Sequence, residues 1–240
     1  MDNSFYTTLT RQSGLMQEMQ TVANNIANLS TTGFRAEGVV FAEHVRSLGP
    51  GQDSLSMAHA VGRHVHTAQG ALSQTGSPYD LAIEGDGFFL IETPDGERLT
   101  RAGHFVTDGN GELVTPDGYR LLDAGGAPVF IPPDAAAIAI ANDGTLSADG
   151  QPQTVIGLWE PINPDGLQHR SGVLFEAPEG VQPMIEYSVF QGFLEQSNVN
   201  PVAQIARMIE VQRAYELGQN FIDQEDERLR GFLRTVGARS

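Results

Sequence analysis

The chain contains no cysteine, which excludes a disulfide framework, thiolate-bound zinc and a thiol nucleophile. It contains no lysine either. All 14 basic residues are Arg, so Schiff-base chemistry, a Walker A phosphate loop and a kinase-type lysine are excluded together. No run of 18 apolar residues occurs, so no transmembrane helix is expected. The opening MDNSFYTTLTRQ lacks a basic n-region and an apolar h-region, which predicts no cleaved secretory signal. Basic charge is scarce beside 30 acidic residues, and the net charge of -16 repels phosphate backbones. No nucleic-acid partner is expected. What is present is 40% hydrophobic content over 240 residues, enough to bury a core.

The charge is unevenly placed. Residues 1–79 hold 5 acids and 4 Arg, net -1; residues 80–190 hold 18 acids and 4 Arg, net -14; residues 191–240 hold 7 acids and 6 Arg, net -1. The middle also carries 10 of the 13 Pro and 15 of the 27 Gly, residues that break helices and make turns. Composition therefore predicts helical, near-neutral ends around an acidic, turn-rich body.

Apolar residues at Phe5, Leu9, Leu15, Met16, Met19, Val22, Ala23, Ile26 and Leu29 form a one-sided helical stripe. Ser30-Thr31-Thr32-Gly33 supplies stop chemistry, placing the helix end near Leu29 or Ser30. At the other end, Asn200 reads as an N-cap and Pro201 as the first helical residue of a long helix. Met208, Tyr215, Ile222, Leu229 and Val236 recur every seven residues, with Ile205 and Ile209 beside them. The companion seam positions on this reading are Gln212, Gln219 and Asp226, which are polar. Such helices need neighbours to be stable, either each other in a hairpin or other molecules.

Between Asp80 and Met184, short apolar runs alternate with turn dipeptides such as Asp95-Gly96, Asp108-Gly109, Asp117-Gly118, Asp143-Gly144 and Asp149-Gly150. This pattern predicts many short strands joined by hairpins, and makes the local charge the chemistry of turns. The fold class is α+β, with a mainly-β central domain of folded or barrel-like sheets. N- and C-terminal α-helices flank it and pair as a coiled-coil-like bundle. The domains expected are 1–34, an N-terminal assembly helix; 35–79, an extended linker; 80–190, the acidic β-rich body; and 191–240, a long C-terminal assembly helix.

Chemical motifs give no active site. Gly85-Asp86-Gly87 is followed by apolar Phe88-Phe89 and lacks the rest of a dinucleotide fingerprint. Asp108–Tyr119 departs from a calcium loop at its sixth and twelfth positions, Leu113 and Tyr119. His59, His64 and His66 cluster, but without a further ligand at metal spacing. No catalytic, cofactor-binding or metal residue is nominated, and no cofactor is expected.

Three separated blocks carry a family likeness. Ala23-Asn24-Asn25-Ile26-Ala27-Asn28 with Thr32-Gly33-Phe34-Arg35, then Asp80–Phe89 with Gly85, Gly87 and Phe88 and Thr100-Arg101-Ala102-Gly103, and finally Ser197-Asn198-Val199-Asn200 with Gln212-Arg213-Ala214-Tyr215, occur in order. They resemble the bacterial flagellar rod and hook family. The opening residues, the modest length and Pro201 after Ser-Asn-Val-Asn resemble its proximal rod branch more than the distal rod or the longer hook branch.

The resemblance implies a non-enzymatic subunit of the periplasmic rod that transmits torque. It implies export through the flagellar type III apparatus without a cleaved signal, and assembly with itself and other rod subunits, without membrane insertion. Assembly seams would include Met16, Met19, Ala23, Ile26, Ile205, Met208, Tyr215, Ile222, Leu229 and Val236. Asn24, Asn25 and Asn28 are expected to make inter-subunit or helix-end hydrogen bonds. Two competing expectations are a secreted hydrolase or ligand-binding β-domain with helical appendages, and an export-linked adaptor or cap.

Overall fold

A computed structural model describes residues 2–46 and 55–237, with side chains described for 8–41, 62–232 and 234. Helix α1 spans Asp2–Ala27 and helix α2 spans Pro201–Gly237, with 18 short or medium strands among the described residues between them. The α+β class and the flanking helices are as the sequence predicts. The chain divides into two compact units. One comprises α1, residues 37–63 and α2; the other comprises residues 28–36 and 64–199.

In the first unit α1 and α2 lie along each other. Gln12 bonds to Tyr215, Glu18 to Arg207 and Asn25 to Gln204, so the numbering rises along one helix as it falls along the other, and the pair is antiparallel. The face of α1 that is buried carries Gln12, Leu15, Glu18, Val22 and Asn25. Met16 and Ala23 are exposed, while Met19 and Ile26 are half-buried.

On α2, Met208, Tyr215 and Ile222 are half-buried, whereas Ile205 and Leu229 are exposed. Val236 belongs to α2, but its side chain lies outside the described residues. The companion seam runs through Gln204, Val211 and Gly218 rather than Gln212 and Gln219, which are exposed. A seven-residue repeat admits a companion either three or four positions on, and spacing alone does not choose. Packing against α1 chooses buried Val211 and the side-chain-free Gly218.

Helix α1 ends at Ala27, two or three residues before the sequence estimate. Asn28 to Ser30 form a turn, with the Thr31 N–H donating to the Asn28 carbonyl at 3.2 Å and the Thr31 hydroxyl to Asn28 Oδ1 at 3.0 Å. Local side-chain bonds of this kind compete with the helical ladder. The expected linker 35–79 is more ordered than its sequence suggests: strands Glu37–Arg46 and Leu55–Val65 pair as a two-stranded sheet. Few turn signals and weak alternation hide this ladder from pattern reading.

The second unit is built on a seven-stranded antiparallel sheet. Its order is Gln168–His169, Leu174–Glu176, Gly96–Thr100, Phe89–Thr93, Arg120–Leu121, Leu113–Val114, Val106–Thr107. Phe88-Phe89-Leu90-Ile91 explains why it sits at the centre. Alternate side chains of a strand point to opposite faces. Phe89 and Ile91 enter one core with Leu81, Phe105, Leu121 and Val189, while Phe88 and Leu90 enter another with Leu99, Leu122 and Phe175. Both faces are therefore covered.

The acidic turns behave as turn chemistry. Asp108 accepts the N–H groups of Asn110 and Glu112, Asp123 those of Gly125 and Ala127, and Asp143 that of Thr145. Each bond favours the charged carboxylate.

Candidate functional site: a buried junction of three sequence blocks

The centre of the candidate site is ionic and fully buried in the second unit. Arg35, Arg101 and Glu195 are 1%, 2% and 1% exposed. Arg35 Nη1 lies 2.9 Å from Glu195 Oε1, and Arg101 Nη1 lies 3.1 Å from Oε2. Glu195 Oε1 also accepts the Gly70 N–H at 2.9 Å. Arg101 Nη2 donates to the Gly85 carbonyl at 2.7 Å, and Arg35 Nη1 donates to the Ala68 carbonyl. The Arg101 guanidinium carbon stands 5.2 Å from the centre of the Phe88 ring, a favourable place for a cation.

Burial depresses both guanidinium pKa values, Arg101 to about 10, and the Glu195 charge opposes the shift. Each Arg keeps N–H groups without a partner among the described residues: Nε and Nη2 of Arg35 and Nε of Arg101. The two cations share Glu195 as their bonded anion, and the charge of Asp86 supports both.

Backbone contacts knit the same point. The Gly33 N–H donates to the Glu195 carbonyl at 2.8 Å. At φ 68° this residue is in the left-handed region, and a Cβ there would lie 2.3 Å from backbone atoms of Arg101 and Ala102. Only glycine fits. Asn198 acts as a clasp: its Oδ1 accepts the Ala36 N–H at 2.6 Å, and its Nδ2 donates to the carbonyls of His66 and Ala68 at 2.9 and 2.7 Å. Phe34, 1% exposed, packs with Ala36 and Val199. Its ring meets His169 edge-on, His169 meets Phe175, and Phe175 meets Phe88.

The remaining family-motif residues are placed as follows. Asn25 is fully buried in the first unit and bonds both ways with the Glu37 backbone, donating to its carbonyl at 2.8 Å and accepting its N–H at 2.9 Å. Asn28 makes the turn after α1, and Asn24 is half-buried. Asn200 caps α2, its Oδ1 accepting the Ala203 N–H at 3.1 Å. Gly85 and Gly87 have φ of 86° and 102°. Gln212 bonds to Glu216 on the exposed surface, and Arg213 is exposed.

Thr32 lines a hollow of about 490 Å3 that also includes Thr31, Asp80, His104 and Leu194. There His104 Nδ1 and Asp80 Oδ1 are 2.6 Å apart. Among the described residues no hydroxyl is hydrogen-bonded to that imidazole. His64 and His66 meet edge-on at 5.4 Å, and no group of three metal-ligating side chains occurs among the described residues.

Sequence reading names Gly33, Phe34, Gly85, Phe88 and Asn198 but passes over Glu195. An acid beside Gln-Ser-Asn carries no local mark of burial. The available signal was an Arg in each of the first two blocks with no acid beside it to neutralise it.

Comparison with known proteins follows the same division. Residues 5–35 match a family described as flagella basal body rod protein, residues 82–148 the flagellar hook protein FlgE/F/G D1 domain, and residues 191–233 the flagellar basal body rod FlgEFG protein C-terminal region. Each matched segment contributes one member of the ionic centre: Arg35, Arg101 and Glu195. Along its full length the chain is 39% identical to the flagellar basal-body rod protein FlgF of Mesorhizobium japonicum, covering 100% of both.

The chain belongs to the flagellar basal-body rod family. It is also 37% identical to FlgF of Caulobacter vibrioides over 99% of each chain, and 32% identical to FlgG of Bacillus subtilis over 95% of this chain and 96% of that one. It is a structural subunit of the flagellar rod, and its place is the basal body. In rod-family terms the junction is where the N-terminal, central and C-terminal signatures become one object, although 160 residues separate Arg35 from Glu195 in the sequence.

Proposed function

We infer that this rod subunit sits in the proximal rod, assembles with copies of itself and with other rod subunits through α1 and α2, and helps transmit torque. The observation that carries the reading is the junction. It binds residues 33–35, close after α1, to residues 195–198, close before α2. The chain thus leaves toward both assembly helices from segments of the second unit that are bonded to each other. The body 80–190 supplies an acidic outer surface that stays soluble, and the near-neutral segments 1–34 and 191–240 supply contact.

Higher identity to the FlgF sequences than to FlgG of Bacillus subtilis supports a position of its own, separate from that of FlgG. The role calls for no catalysis, cofactor, nucleic acid or membrane insertion. No described helix is long and apolar enough to cross a membrane. Export through the flagellar type III apparatus is part of the same reading. Deleting residues 201–240 is expected to abolish motility and recovery of the chain in purified basal bodies. Normal motility of that truncation overturns the proposal.

A further inference from the structure

The first unit leaves two apolar stripes of α2 uncovered. Val202, Ile205 and Ile209 are 77%, 52% and 46% exposed, and Leu217 and Phe221 are 70% and 39% exposed. At 3.6 residues per turn the first stripe points away from the α1 seam, and the second lies roughly 110° around the helix from it. A groove of about 240 Å3 between α1 and α2 adjoins the second stripe, with Arg11, Gln12 and Gly218 among its lining residues. The missing side chain of Gly218 opens it: a Cβ there would stand 2.5 Å from the Gln12 amide nitrogen.

Two different uncovered surfaces on one helix suit a head-to-tail contact. Such a contact repeats as an open helical array, whereas a self-paired surface closes into a dimer.

Charge selects the occupant. Arg207 is shared between Glu18, at 2.6 and 2.5 Å, and Glu210, at 3.1 Å. Glu210, one residue past Ile209, shares that guanidinium with Glu18, so Arg207 does not fully neutralise its carboxylate. At the groove, Arg11 is exposed and has no ion pair among the described residues. We propose that Ile205 and Ile209 of one copy of this chain seat in the groove at Leu217, Gly218 and Phe221 of a second, parallel copy, with Glu210 meeting Arg11. The copies are offset along α2 by eight to twelve residues, about 12–18 Å. The proposal rests on the rod-subunit reading and specifies which surfaces its copies share.

The absence of cysteine gives a clean test. Ile209→Cys and Leu217→Cys in one chain stand about 12 Å apart on the helix, too far to bridge within a molecule, since a disulfide needs Cα atoms within about 7 Å. In motile cells carrying this double variant, copper–phenanthroline oxidation of basal bodies is expected to give a ladder of whole-chain multiples, and either cysteine alone to give none. Arg11→Glu and Glu210→Arg are each expected to weaken the ladder about tenfold, the equivalent of about 1.4 kcal/mol, and the double reversal to restore it.

Absence of the ladder, a dimer from a single cysteine, or a cross-link only to a chain of another mass overturns the contact. If the double variant is non-motile, Ile205→Cys with Leu217→Cys replaces it under the same criteria. Recovery of the wild-type chain in basal bodies separates the two failures: its absence sinks the rod reading, and its presence without a cross-link sinks only this contact.

Discussion

Glu195 holds two buried guanidiniums, so its loss has consequences out of proportion to one side chain. Removing one partner of a buried ionic group leaves uncompensated charge and costs about 3–5 kcal/mol. Glu195→Ala is therefore expected to lower the stability of the β-rich unit by that amount. Urea unfolding followed by fluorescence of Trp159, the single Trp, reports it directly, because Trp159 packs with the cluster that contains Phe88. An unchanged midpoint would mean that the centre is not held by this carboxylate. Gly33→Ala combines a left-handed backbone with a 2.3 Å approach to the Arg101 and Ala102 backbone, and is expected to destabilise by more than the ~1 kcal/mol of a φ penalty alone. The same urea titration measures it. At this scale Gly33 was legible in the sequence, because stop chemistry after a helix asks for glycine. Glu195 was not, because burial of a charge is decided by partners 94 and 160 positions away.

At the scale of elements, Asn25 ties helix to strand. It is a poor interior helix residue that gains its place by satisfying both backbone groups of Glu37 in the first unit. Asn25→Ala removes both of these buried hydrogen bonds and is expected to cost about 1–3 kcal/mol. Thermal unfolding followed by helical circular dichroism checks this, and a loss below half a kcal/mol would show that water replaces the amide without penalty. The two helices and the strand-rich body were legible from apolar period and Asp-Gly punctuation. The companion seam at Val211 and Gly218 was not, since a heptad fixes a period and leaves open which neighbour faces inward. The Glu37–Arg46 and Leu55–Val65 ladder was equally hidden, its stability coming from pairing rather than from a pattern along either strand.

For the whole molecule, part of the acidic excess is carboxylates held in the folded state by turn N–H groups. The Glu112 N–H, with Asn110 and Gly111, holds Asp108 below the usual carboxylate range. The Thr145 backbone and hydroxyl do the same for Asp143. At Asp123 partial burial pushes upward, but the Thr154 hydroxyl and the N–H groups of Ala127, Gly125 and Gly126 outweigh it. A carboxyl group whose folded pKa is depressed binds its proton more readily when unfolded. Its stabilisation is complete above the unfolded value, about 3.9, and disappears as pH falls through the lower folded value. The melting temperature is expected to hold between pH 7 and 5 and to fall below about pH 4. Asp123→Asn should melt lower at neutral pH and decline less steeply in acid. A melting temperature constant from pH 6 to 3 contradicts this.

The junction also sets how mechanical force runs through a rod subunit. Because residues 33–35 and 195–198 are fastened to each other, tension applied to the chain on either side passes across a few bonds at the Arg35–Glu195 crossing and does not stretch the strands of residues 64–194. The chain between the two fastened segments is a closed side loop on the load path, mechanically in parallel with it. Pulling a single molecule from residues 28 and 199 is therefore expected to break first at this clasp, with the full contour length of the body released only afterwards.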